Sequence, residues 1–179
     1  FALAASFVGP VLPFLPAMAE NVGFEFEGPT SIGKSSLMRS IASVWGPPTD
    51  LLGTWDTTAA GLETSMSTCD GTLFILDEAS RAKKVLTQEL VLKLADGKSK
   101  VRYGNPAGHA MRYCFFSTSN LSLDRATVTT QSERDAMMVR MPSIPARRSE
   151  HGILDQLGKG SRSAGEDIAK FTRRVERNY

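Results

Sequence analysis

Residues 28–41, GPTSIGKSSLMRSI, follow directly on FEFE and decide how the rest of the chain is read. Gly28, Gly33, Lys34 and Ser35 fit the pattern G-x-x-x-x-G-K-[ST] in full. They lie between an alternating segment, FEFEG (24–28), and the apolar positions Leu37, Ile41 and Val44 at helical spacing. Strand, loop, helix is the context that gives the pattern its physical meaning. Glycines let successive backbone N–H groups turn inward around phosphate oxygens, and the helix N-terminus adds its positive end. Gly28, Pro29, Thr30, Ser31, Ile32, Gly33, Lys34, Ser35 and Ser36 are therefore the expected cradle for ATP. Lys34 is expected to reach the β and γ phosphates, and the Ser35 hydroxyl to ligate Mg²⁺.

Two further segments complete that chemistry. TLFILDE (72–78) is a continuous apolar run ending in two carboxylates, as expected of a strand buried on both faces of a parallel sheet. Asp77 at its end is placed to hold Mg²⁺ through water, and Glu78 to polarise a water for attack on the γ phosphate. Adjacent carboxylates favour hydrolysis over transfer to a substrate hydroxyl. In CFFSTSN (114–120), Ser117, Thr118, Ser119 and Asn120 end a strand expected beside the phosphate-loop strand. An amide there can hydrogen-bond the γ phosphate and the attacking water.

The remaining elements set the architecture. LLGTW (51–55) reads as a short strand and Ala59 to Thr68 as a helix. VLTQELVLKLADG carries Leu86, Leu90, Val91 and Leu94 as a helical stripe with Gly97 as its stop. KSKVRYGNPAGHAMRY reads as a hairpin ahead of the CFFSTSN strand, and MMVRM (137–141) as a fifth strand. The tail from Gly165 to Val175 should be an amphipathic helix, with Ile168, Phe171 and Val175 on one face. The expected fold is thus a three-layer α/β arrangement around a mainly parallel five-stranded sheet. An N-terminal helix over 1–20, a core over 21–146 and a C-terminal helical segment over 147–179 are the expected divisions.

A chain of 179 residues with 41% hydrophobic content supports one sizeable core. It begins at Phe1 and stops at ERNY, which reads as a piece of something longer, with flanking domains expected to carry part of the function. The net charge of +2 hides an asymmetry: residues 1–78 hold two basic and nine acidic side chains, residues 79–179 nineteen and ten. Such a bias suits a second half that meets a polyanion. Cys69 and Cys114 show neither metal-ligand nor disulfide spacing, which fits a reducing, cytoplasmic setting. FALAASFVGPVLPFLPAMA lacks a basic leader, and Pro10, Pro13 and Pro16 interrupt any spanning helix, so a buried helix and a proline-punctuated turn are expected and no membrane partner.

Between Ala79 and Arg112 stand eight basic residues against two acidic ones. Lys98, Lys100 and Arg102 alternate, so on a strand they face one side and can follow a DNA phosphate backbone, with Tyr103 as a stacking ring. Arg134 and Arg140 flank the last expected strand, where oligomeric ATPases place an arginine that reaches a neighbour's nucleotide.

Together, GPTSIGKSSLMRSIASVWG, TWDTTAAGLETSMSTCDGTLFILDEASRA, LADGKSKVR, FFSTSN and VRMPSIPA resemble the domain of unknown function 927 family. These are P-loop ATPase domains of helicase type in phage, plasmid and other mobile-element proteins, often beside primase modules. The resemblance implies an AAA+ or superfamily 3-like core. It also implies a homo-oligomeric ring and a pre-sensor hairpin, Lys98 to Arg112, that grips single-stranded or forked DNA. The family's sensor strand commonly ends Ser-Thr-Gly-Glu; this chain has Ser-Thr-Ser-Asn, leaving Ser117 or Thr118 beside the preferred Asn120. Arg140 fits the family position of the finger arginine, and Arg134 that of superfamily 3. The reading is a Mg²⁺-dependent ATPase coupled to DNA translocation or unwinding. A nucleotide-regulated switch and a P-loop kinase are its rivals.

Overall fold

A computed structural model describes residues 1–16, 20–79, 84–98, 110–123, 125 and 130–147. Its five strands are β1 (Val22–Glu27), β2 (Leu52–Thr54), β3 (Leu73–Asp77), β4 (Cys114–Ser119) and β5 (Ser143–Pro145). The helices are α1 (Ala2–Ser6), α2 (Lys34–Ala42), α3 (Pro48–Leu51), α4 (Ala59–Thr68), α5 (Lys84–Asp96) and α6 (Gln131–Arg140). The strands lie in the order β2-β3-β4-β1-β5, and all four neighbouring pairs are parallel. β4 is thus inserted between β1 and β3, with Val22 opposite Cys114, Glu27 opposite Ser119 and Leu76 opposite Ser117.

Both central strands are covered on both faces, which explains why LFIL and CFF read as unbroken apolar runs. One face carries Phe26, Ile75, Cys114 and Phe116 against Met38, Ile41 and Ala42 of α2 and Ala2 and Ala5 of α1. Phe24 and Phe26 stack on Phe116 at ring-centroid distances of 5.7 and 6.0 Å, tying β1 to β4. The other face carries Phe74, Leu76 and Phe115 against Leu62 and Met66 of α4, Leu90, Val91 and Leu94 of α5, and Met137 of α6. The result is the expected three layers.

Two expectations are corrected. MMVRM is not a strand: Met137 to Arg140 end helix α6, and the fifth strand is Ser143–Pro145, paired with β1. The cause is local. The Thr130 hydroxyl accepts from Glu133 N–H while the Glu133 carboxylate accepts from Thr130 N–H, a reciprocal N-terminal cap. Met137 and Met141 are buried four residues apart while Val139 is 81% exposed, which is helical and not alternating spacing. The N-terminal segment is the expected helix and proline-punctuated turn, a five-residue helix followed by a 3₁₀ turn, Gly9–Phe14, since Pro10 and Pro13 cannot supply the amides of a longer α-helix. It is also only partly buried, with Phe1 and Phe14 exposed. Finally, α2 ends at Ala42, so Val44 lies beyond the helix and is exposed. The tail helix over 165–175 lies outside the described residues. Among the described residues, no helix is long and apolar enough to cross a membrane.

The end of the sheet opposite the phosphate loop is held by Asn21. Its side-chain amide donates to the carbonyls of Leu94 and Met111, each at 3.1 Å, and its oxygen accepts from Tyr113 N–H at 3.2 Å. The Tyr113 hydroxyl donates to the same Leu94 carbonyl at 2.9 Å. Gly97 closes α5 there at φ +63°, and a β-carbon on it would strike the Asn21 amide and the Met111 carbonyl. Gly71 also has a positive φ, +75°, but nothing stands within 4 Å of its β-carbon position. Gly97→Ala should therefore cost at least about 2 kcal/mol in denaturant unfolding, and Gly71→Ala only about 1.

Burial pushes the Cys114 thiol up to about 12 from its ordinary 9.0. Above that ordinary value the unfolded chain has released a proton that the fold retains, so stability falls as pH rises through this interval. Urea midpoints measured from pH 8 to 11 should decline, and less steeply in Cys114→Ala.

Candidate active site

All five strands run in one direction, so the residues after β1, β3 and β4 emerge together at the carboxyl edge of the sheet. Gly28 N–H donates to the Ser119 carbonyl at 3.1 Å, and Ala146 N–H to the Glu27 carbonyl at 2.6 Å, fixing where the loop leaves β1. A β-carbon at Gly28 would lie 2.6 Å from the Ala146 carbonyl oxygen and 2.7 Å from Ile32 Cδ1, so no larger residue fits that exit. Ser31 at φ +62° and Gly33 at +95° turn the loop back on itself before α2 starts at Lys34. Ile32 is buried and anchors the loop's tip.

The loop, the β3 end and the β4 end enclose a cavity of about 260 Å³ lined by Thr30, Ser31, Lys34, Ser35, Glu78, Thr118, Ser119 and Asn120. Lys34 is the centre of its hydrogen bonding. Its ammonium donates to the carbonyls of Gly28 at 2.6 Å and Pro29 at 2.7 Å and to Asn120 Oδ1 at 3.3 Å. Partial burial lowers the Lys34 pKa, and the Asp77 carboxylate opposes that shift.

Asp77 sits behind the cavity wall. Its Oδ1 accepts hydrogen bonds from the Thr118 hydroxyl and, at 3.1 Å, from Glu78 N–H. Glu78 N–H also reaches Thr118 Oγ1 at 3.1 Å. Glu78 itself is held at φ +58°, a conformation costing a non-glycine residue about 1–2 kcal/mol. Two strained residues, Ser31 and Glu78, thus stand on opposite walls of one cavity, as strain at a working site does.

Of the expected site residues, Thr30, Ser31, Lys34, Ser35, Glu78 and Asn120 line this cavity together, with Asp77 adjoining through Thr118. Gly28 and Pro29 contribute carbonyls to Lys34. Gly33 caps α2, and the Ser36 carbonyl accepts from Ser40 within that helix. Neither Arg134 nor Arg140 lines the cavity. Both belong to α6, and Arg140 is paired with Glu20 at 3.3 Å, at the amino end of β1. Lys98 is at that same far edge, paired with Asp96 at 3.1 Å and bridged antiparallel to Ala110. Lys100, Arg102 and Tyr103 lie outside the described residues. Thr118's contact with Asp77 is not read from the sequence; its signal is the register, which places Thr118 one step beyond the Leu76–Ser117 pair.

The donor set fits a nucleotide and its metal. A lysine, helix-terminal amides and the Ser31 and Ser35 hydroxyls suit phosphate oxygens, while Ser35 and Asp77 are hard oxygen ligands of the kind Mg²⁺ takes.

Comparison with solved structures gives the same fold. The chain is similar to the active helicase Cch of SCCmec type IV, with a TM-score of 0.67 and 20% identity, over 96% of this chain and 30% of that one. It is similar also to the S. cerevisiae Hsp104–ADP complex, with a TM-score of 0.51 and 14% identity over 96% of this chain and 37% of that one. For the inhibitor-bound JCV helicase the TM-score is 0.50 and the identity 11%, over 97% of this chain and 51% of that one. This chain therefore spans less than a third of Cch's length and about half of the JCV structure. No match is found among the curated proteins. The fold is that of P-loop helicases and AAA+ ATPases. With the model described as Domain of unknown function (DUF927) matching residues 1–112, the chain belongs to that family.

Proposed function

We propose that this domain is a Mg²⁺-dependent ATPase which assembles into a ring and couples hydrolysis to movement on, or unwinding of, DNA in mobile-element replication, beside modules such as a primase. The observation that carries the reading is the meeting of Lys34, Glu78 and Asn120 in one cavity, with Asp77 directly behind it.

Bound Mg²⁺–ATP would supply the scissile phosphate bond and the metal's charge. Lys34, which now donates to the Gly28 and Pro29 carbonyls, would turn its ammonium to β and γ phosphate oxygens. Ser35 and Asp77 would hold the metal, and Glu78 would accept a proton from a water attacking the γ phosphate as ADP leaves. Asn120, freed from Lys34 by that turn, would hydrogen-bond the water or the γ phosphate. Arg140 or Arg134, away from the cavity of its own chain, acts on a neighbour's nucleotide in the ring. Lys98 at the hairpin base, with Lys100 and Arg102 beyond it, follows the phosphate backbone of single-stranded or forked DNA.

Lys34→Ala should weaken binding of a fluorescent ATP analogue by at least about 10–100-fold, the worth of its charged hydrogen bonds. Glu78→Gln should bind normally and turn over about 10²–10⁴-fold more slowly; wild-type turnover by that variant refutes its role. Replacing Lys98, Lys100 and Arg102 by glutamine should lower the slope of log DNA affinity against log salt by about 2–3. An unchanged slope favours the switch reading.

A further inference from the structure

We infer that Thr118 is a positioning residue for the two carboxylates, acting through its hydroxyl on Asp77 and on the backbone of Glu78. The inference rests on the ATPase reading above and adds to it a residue that acts through Asp77 and Glu78.

Thr118 is 2% exposed and sits on β4 between β1, where it is opposite Phe26, and β3. Its hydroxyl donates to Asp77 Oδ1 and accepts from Glu78 N–H at 3.1 Å. One donor and one acceptor site of a single hydroxyl are thereby assigned to the last residue of the neighbouring strand and the one that follows it. Their order matters. Donation to Oδ1 fixes the rotation of the Asp77 carboxylate and leaves Oδ2 as the oxygen for a metal's water. Acceptance from Glu78 N–H, shared with Asp77 Oδ1 at 3.1 Å, holds the peptide at the start of the left-handed turn that presents Glu78 to the cavity. A valine has the same shape and neither capability. A serine has both. Partners that orient metal-holding groups in this way typically govern metal affinity or activity by about 10–100-fold.

The test compares Thr118→Val with Thr118→Ser in the full chain, each checked for its thermal midpoint. Binding of a fluorescent ATP analogue is measured with chelator and across a Mg²⁺ titration, alongside ATP turnover. Thr118→Val should bind the analogue without metal within about twofold of wild type. It should also need about tenfold more Mg²⁺ for half-maximal effect and lose about tenfold or more in kcat. Thr118→Ser should restore both within about threefold. Wild-type Mg²⁺ dependence and kcat in Thr118→Val overturn the inference, as does equal impairment of the serine variant, which would assign the effect to packing of the methyl group. The two readings fail separately. A wild type whose turnover is absent, or survives Lys34→Ala, refutes the ATPase reading and this inference with it. An active wild type with an indifferent Thr118→Val refutes this inference alone.

Discussion

The insertion of β4 between β1 and β3 is the constraint on which the site depends. Without it the phosphate-loop strand and the carboxylate strand would be neighbours, and nothing would stand between Lys34 and Asp77. With it, the parallel register sets Glu27 beside Ser119 and Leu76 beside Ser117, so the next residues of three strands converge by geometry alone. A parallel sheet places every strand's carboxyl end on one edge, and loops at that edge therefore collect functional groups. The buried aromatic contacts Phe24–Phe116 and Phe26–Phe116 hold the register, since a one-residue slip would turn those rings to the opposite face.

That packing explains why two backbone outliers persist. Ser31 and Glu78 adopt left-handed conformations that their side chains disfavour. Each is over-determined by its surroundings: Ser31 lies in a loop with Ile32 buried and Gly33 leading into α2, and Glu78 N–H is held by both Asp77 and Thr118. The free energy stored there is offset by the core beneath it.

Much of this was legible in the sequence because the signals were strong and local. The pattern Gly28 to Ser35 names its own strand and helix, LFILD announces a strand buried on both faces, and Ala59–Thr68 was bounded correctly as a helix. The failure at 137–141 has the opposite cause. Five residues rich in methionine carry no periodicity of their own, and the deciding cap, Thr130 with Glu133, lies seven residues upstream of Met137. The Thr118–Asp77 contact was illegible for a different reason. It joins positions 41 apart through a register that only tertiary packing sets. The Asn21 brace, spanning 73 and 90 residues, is hidden in the same way.

These long-range contacts also tie α5 to β4. In sequence, α5 begins six residues after Glu78, and β4 ends one residue before Asn120. At the far edge the two are joined: Asn21 and the Tyr113 hydroxyl both donate to the Leu94 carbonyl, and Asn21 also donates to the Met111 carbonyl and accepts from Tyr113 N–H. Between the edges, Leu90, Val91 and Leu94 of α5 share one cluster with Phe115 of β4, and the partly buried Lys93–Glu63 pair at 3.0 Å ties α5 to α4. A shift of Glu78 or Asn120 relative to Lys34 therefore displaces elements that are packed against each other along their length. Over a strand of six residues, about 20 Å, such packing transmits displacement rather than absorbing it. The packing of α5 against β4 is thus continuous with the contacts that hold Glu78 and Asn120 at the cavity.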